Sequence, residues 1–167
     1  MGLDSKMVGN DIHNFARKLW PINRSITGEG VRETLAEIRK HLPSLKIQSV
    51  PSQTKVFDWT VPKEWVVREA YITTTNGEKI CDFSENNLHL LGYSIPFSGS
   101  LSFDKLKKHL YTLPDQPDAI PYITSYYKER WGFCLSENQK QKMPDGDYKV
   151  VIDSSLKKGN LDMSHAV

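Results

Sequence analysis

No apolar run in this sequence approaches the ~20 residues that a membrane-spanning helix requires, so no membrane partner is expected. Charge of one sign is also missing. The 167 residues carry 22 Lys and Arg against 20 Asp and Glu, a net +2 with the histidines neutral. The basic residues are scattered, as in Lys105, Lys107, Lys108 or Lys157, Lys158, and form no stripe. Such a surface is a solvated one and implies no nucleic-acid partner. The start, Met1-Gly2-Leu3-Asp4-Ser5-Lys6, has no apolar signal core and fails the myristoylation pattern at Lys6. The cytoplasm is therefore the expected compartment, and the formal sequon Asn23-Arg24-Ser25 has no consequence there. Cysteine is scarce: Cys81 and Cys134 lie on apolar, strand-like segments and read as buried free thiols. The five histidines, His13, His41, His89, His109 and His165, never pair at a ligating spacing.

What is present reads as an ordinary globular chain, 38% apolar and 25% charged. Ile12, Phe15 and Leu19 mark one face of a first helix that Pro21 stops. Thr27 is the expected N-cap of a second helix, with Glu29 at its positive end and Val31, Leu35, Ile38 and Leu42 as its apolar stripe. A strand with Leu45, Ile47 and Val50 on one side follows Pro43. Residues 51–96 then show short strands with aromatics. The clearest element there is a hairpin, residues 70–75 and 78–83, turning on a two-residue Asn76-Gly77 loop.

Residues 88–93 read as a further strand. Leu101 and Leu106 flank Ser102 as a staple around the N-cap of a helix running to about Leu110. Three prolines make residues 113–121 an ordered loop. Residues 131–135 predict a strand, Ser136-Glu137-Asn138-Gln139 a capping box, and residues 148–153 a final strand, after which a polar tail without a further element is expected.

Several long segments carry a resemblance: Trp20-Pro21-Ile22-Asn23-Arg24-Ser25-Ile26-Thr27-Gly28-Glu29-Gly30, Val56-Phe57-Asp58-Trp59-Thr60-Val61-Pro62-Lys63-Glu64-Trp65, Leu110-Tyr111-Thr112-Leu113-Pro114 and Thr124-Ser125-Tyr126-Tyr127-Lys128-Glu129-Arg130-Trp131-Gly132-Phe133-Cys134. With these, residues 10–161 resemble a bacterial family of aminopeptidase-like proteins (DUF4910 with an inserted DUF2172 module). That family is itself similar to the zinc-dependent M28 aminopeptidases. The resemblance implies an α+β chain: a partial zinc-peptidase-like α/β body, residues 1–50 and 146–167, carrying an inserted β-rich module, residues 51–145. One compact α+β domain is the alternative.

The resemblance also implies zinc and a peptide or aminoacyl substrate for the full-length family. No zinc is expected for this chain alone, because the family's His, Asp and Glu motifs have no counterpart here and a zinc site needs three or four convergent ligands. The expected role is the N-terminal fragment of a metal-dependent aminopeptidase-like hydrolase, inactive alone and open to homo-oligomerisation. The alternative is a non-enzymatic peptide- or glycan-binding module. No catalytic residue is expected. The candidate binding residues are Arg24, a loop arginine suited either to a substrate carboxylate or to a structural ion pair, and Tyr126, Tyr127, Arg130 and Trp131. That second set suits a peptide or sugar site, and more often fills an interface between domains. Trp59 and Trp65, flanking Pro62, are expected to anchor the β module.

Overall fold

A computed structural model describes residues 5–126 and 128–166. The chain opens with helix α1 (Ser5–Leu19) and helix α2 (Glu29–His41), then strand β1 (Lys46–Pro51) and a small hairpin, β2 (Lys55–Val56) and β3 (Trp59–Thr60). The long strand β4 (Glu64–Thr73) follows, with β5 (Lys79–Ile80), β6 (Phe97–Ser102), the short helix α3 (Phe103–Leu106), β7 (Leu110–Tyr111) and β8 (Phe133–Cys134). Helix α4 (Glu137–Gln141) and strands β9 (Asp147–Lys157) and β10 (Asn160–His165) complete it. The protein is α+β.

The main sheet has the order β5-β4-β9-β6, and its centre is the long antiparallel pair β4 and β9. Alternation along β9 sends Tyr148, Val150, Ile152 and Ser154 to the buried face. They meet Ala70 and Ile72 of β4, with Leu90, Leu106, Leu110, Phe133 and Leu135 from the connecting segments above. The strand expected at residues 148–153 is thus longer than the expected one and lies mid-sheet. The expected tail without structure is instead β10, paired with β1 over six residues from Lys46↔His165 to Pro51↔Asn160. Polar residues hid it: β1 and β10 are largely exposed on a two-stranded ribbon, so neither needed an apolar sequence.

Three other expectations change. The hairpin after β4 does not turn on two residues. Thr74 N donates to Glu78 O and Gly77 N to Thr74 O, leaving a three-residue loop with Gly77 at φ +86°. Asn76 keeps a negative φ, so the loop is a turn closed by a left-handed glycine. Residues 88–93 are not a strand. Asn86 caps a 3-10 turn over Asn87–His89, and Leu90 and Gly92 make only single bridges to Phe133 and Thr124. Thr27 is not the N-cap either. Gly28 holds that position at φ +111°, while Thr27 turns inward and bonds Lys63 O at 3.1 Å. Ser102 and Ser136 do occupy the expected N-caps, and Ser136 with Gln139 forms the expected capping box.

The helices join the sheet chiefly through charge. In α2 only Leu35 is buried, so apolar packing alone holds this helix weakly. Arg32 supplies the link. Its Nη1 bonds Glu64 Oε1 of β4 at 2.7 Å and Asp162 Oδ2 of β10 at 3.1 Å, and its Nη2 bonds Glu64 Oε2 at 3.1 Å. Glu64 also accepts the Asn160 amide at 2.9 Å, and Asp162 accepts Ser49 Oγ of β1 at 2.5 Å. Gly159 lies against the Glu64 carboxyl so closely that a Cβ would stand 2.1 Å from it.

The Arg32 guanidinium holds the Glu64 carboxyl below its ordinary value, and the Asn160 amide and Lys157 act in the same direction. A depressed folded pKa means that this carboxylate stabilises the fold fully above the ordinary 4.5, and that the contribution fades as pH falls through the lowered value. Acidification below that point should therefore lower the unfolding free energy. Glu64→Gln should cost about 3 kcal/mol at neutral pH and flatten that acid limb, as read by urea unfolding at several pH values.

Candidate functional site

Aromatic residues converge where the loop after α1 meets the module. Trp65, buried at the start of β4, stacks on Tyr93 with centroids 5.7 Å apart, and its Nε1 donates to Ser94 O at 3.0 Å. Ser154 Oγ donates to the same carbonyl at 2.7 Å. Tyr93 takes a left-handed φ of +65°, which lets its hydroxyl reach Thr27 Oγ1 at 2.9 Å. Burial pushes the Tyr93 phenol upward, so it stays a neutral structural group. Tyr126 meets Tyr93 edge-on at 4.7 Å.

Tyr126 also lines an open cavity of about 380 Å³ with Gln53, Asp58, Trp59, Thr60, Val61 and Lys63. The β2–β3 hairpin forms its wall. Val56 pairs with Trp59, so the turn is the two residues Phe57 and Asp58. Gln53 N to Val61 O at 2.7 Å and Val61 N to Thr54 O at 3.0 Å brace its base. Phe57 stands at φ +56° and is 101% exposed. Trp59 is half-buried beside it.

The expected binding residues part company here. Arg24 is exposed and gives its Nη1 to Leu19 O at 2.5 Å, closing the C-terminal end of α1. It lines a crevice of only about 30 Å³ with Tyr93, Tyr122 and Thr124. Tyr126 reaches the open cavity; Tyr127 lies outside the described residues. Arg130 turns inward, with Nη2 on Thr124 O at 3.1 Å and a buried Nε that has no partner. Trp131 is buried between His109, stacked at 3.7 Å, and Phe97, stacked at 4.2 Å. Its indole face is thus spent on the core. The residues overlooked were Phe57 and Asp58, because Asp58 is the turn's one usual turn residue and phenylalanine occupies the positive-φ position where glycine or asparagine would mark it.

Among the described residues no three His, Cys, Asp or Glu side chains gather as a metal site. His89 is buried with Nδ1 on Cys134 O at 2.9 Å. Burial, with Cys134 nearby, pushes the Cys81 thiol up to about 12, and burial pushes Cys134 to about 11. Neither is a thiolate at neutral pH.

With that geometry in place, kinship can be stated. Residues 64–155 match the family described as a domain of unknown function (DUF2172), and the chain belongs to that family. The matched stretch runs from the first residue of β4 to within two residues of the end of β9, and so contains all of the four-stranded sheet except the last two residues of β9. The chain is 54% identical over 158 residues to a protein of Clostridium acetobutylicum provisionally named as a polysaccharide biosynthesis protein with an aminopeptidase-like domain. It also superposes, with a TM-score of 0.89 and 53% identity, on a crystal structure of a provisionally named peptidase from the same organism. These similarities cover 95% and 96% of this chain but only 36% and 38% of the relatives. The chain spans little more than a third of their length.

Both thiols should be inert toward a disulfide reagent at pH 8 in the folded chain and should react together on denaturation. Fast reaction of either in the native state would contradict their burial.

Proposed function

We propose that this chain is the N-terminal portion of an aminopeptidase-like hydrolase of the DUF4910 and M28 type, cytoplasmic and metal-dependent as a whole, in which it supplies the inserted module and one wall of the substrate cleft. The observation that carries this reading is the partial coverage: nearly all of the chain aligns with just over a third of a relative bearing an aminopeptidase-like name. The uncovered side of α1 supports it. Met7 at 62% and Ile12 at 65% exposure on α1, with Trp20 at 58% just after it, put large apolar side chains in water that a larger body would bury. The β1–β10 ribbon has a free edge on each side, which further strands would extend. The division into body and module belongs to the same proposal, with the seam at the Arg32, Glu64 and Asp162 cluster.

Zinc, implied by the wider family, does not fit the residues present. The clustered carboxylates Glu64 and Asp162 are committed to Arg32, and among the described residues no histidine or cysteine joins them. The metal ligands in this reading come from the part of the relatives that the chain does not cover. What the chain contributes is positioning: a rigid sheet, an aromatic corner and an exposed hairpin tip. A second reading, a non-enzymatic binding module, is favoured by the aromatic cavity at that hairpin. Peptide or aminoacyl substrates belong to the first reading and homo-oligomerisation to either.

The chain alone should show no turnover of aminoacyl-anilides and no stoichiometric zinc by elemental analysis. The full-length clostridial relative should show both. Zinc-dependent turnover by the 167-residue chain would overturn the reading.

A further inference from the structure

The Phe57 turn combines two costs with no return inside the chain. A two-residue turn with positive φ at its first position is ordinarily a place for glycine, since a Cβ there meets the backbone. Phenylalanine occupies it, and its ring touches so little of the protein that it is 101% exposed. Strain of this kind persists where a site outside the fold's own stability requires it. The neighbouring cavity supplies what such a site would need. Trp59 and Tyr126 offer half-buried ring surface. Gln53, Asp58, Thr60 and Lys63 surround them, and none of these four side chains makes a hydrogen bond or ion pair among the described residues. An amide, a carboxylate, a hydroxyl and an ammonium therefore stand unspent around aromatic walls.

We infer that the cavity between the β2–β3 hairpin and Tyr126 is a carbohydrate subsite that takes a neutral hexose unit of a glycan, with Trp59 and Tyr126 as its aromatic walls, Asp58, Gln53 and Lys63 holding the sugar's hydroxyls, and Phe57, at the adjoining turn tip outside the cavity lining, extending the stacking surface. A pyranose has an apolar C–H face suited to aromatic rings and a rim of hydroxyls that donate and accept, and the wall chemistry matches both. Competing ligand classes fit less well. Strands β2 and β3 have two residues each, too short to add a peptide strand by main-chain pairing. One carboxylate cannot hold a metal ion. One lysine facing one aspartate makes no cationic groove for a nucleic acid strand. The fixed two-residue turn presents the Phe57 ring without a flexible loop to order, which lowers the cost of binding. This inference stands apart from the hydrolase reading, since it needs no metal and no turnover.

The test titrates the intact 167-residue chain with cellotetraose, maltotetraose, mannotetraose and chitotetraose, followed by tryptophan fluorescence and calorimetry. One of the four should bind saturably with a dissociation constant on the order of 1 mM or tighter, and Trp59→Ala should weaken it about tenfold. Phe57→Gly gives the sharper outcome: the melting temperature should rise as the strained φ is relieved, while affinity falls about fivefold. A rise in melting temperature with unchanged affinity would make the turn merely structural and overturn the assignment. So would the failure of all four sugars to bind at ~10 mM. Saturable binding of Leu-Gly-Gly, lost in Trp59→Ala, would replace the carbohydrate by a peptide. None of these results bears on whether the full-length relatives hydrolyse anything, so failure here and failure of the hydrolase reading are separable.

Discussion

The guanidinium of Arg32 is the contact on which the arrangement of this protein depends. It enters from α2 and bridges two carboxylates, Glu64 and Asp162, whose side chains are 3% and 4% exposed. Two such charges side by side would repel and could not stay buried without a cation between them. Each belongs to a different element: Glu64 opens the central strand of the main sheet and Asp162 lies on the ribbon. Removing the arginine would strand both. The same cluster explains Gly159, where any side chain would displace the Glu64 carboxyl. It also explains how the β9–β10 turn is set, through Asn160 N on Glu64 and Gly159 N on Ser52 Oγ at 3.0 Å.

From that seam the rest follows in two directions. Toward the sheet, Trp65 stands one residue after Glu64 and starts the run of stacked rings through Tyr93 to Tyr126. That run ends at the cavity under the β2–β3 hairpin, so the position of the exposed Phe57 tip is tied back to the buried charges. Toward the helices, α1 reaches α2 through Phe15 against His41 at 4.9 Å and Lys18 with Glu37 at 2.6 Å. Contacts as exposed as Lys18–Glu37 are worth little. The N-terminal helices are thus held at one point by a strong ionic contact and elsewhere by weak ones.

The elements easiest to read from sequence were those with local causes. The stops at Pro21 and Pro43, the capping box at Ser136 and the alternation over residues 148–153 each depend on a few neighbouring residues. What stayed hidden depended on distant ones. Strand β10 carries no apolar pattern because its partner is a single exposed strand. Residues 88–93 look like a strand, but their amides donate to Asn86, Gly132 and Ile123 instead of forming a ladder. Tyr126, expected as a binding aromatic, lines the open cavity, whereas Trp131 carried the same composition signal and is core. Nothing local distinguishes a tryptophan stacked on His109 and Phe97 from one facing solvent. Phe57 was hidden for the opposite reason, since its importance rests on a backbone angle that its residue type disfavours.

The chain spans little more than a third of the clostridial relatives' length, and in the proposed reading the Arg32 cluster is the seam between body and module. Amide hydrogen exchange on Arg32→Met tests this most directly. Strands 46–51 and 160–165 should lose protection while 64–73 and 147–157 keep theirs. Unchanged protection of the ribbon, or equal loss throughout the four-stranded sheet, would contradict the account.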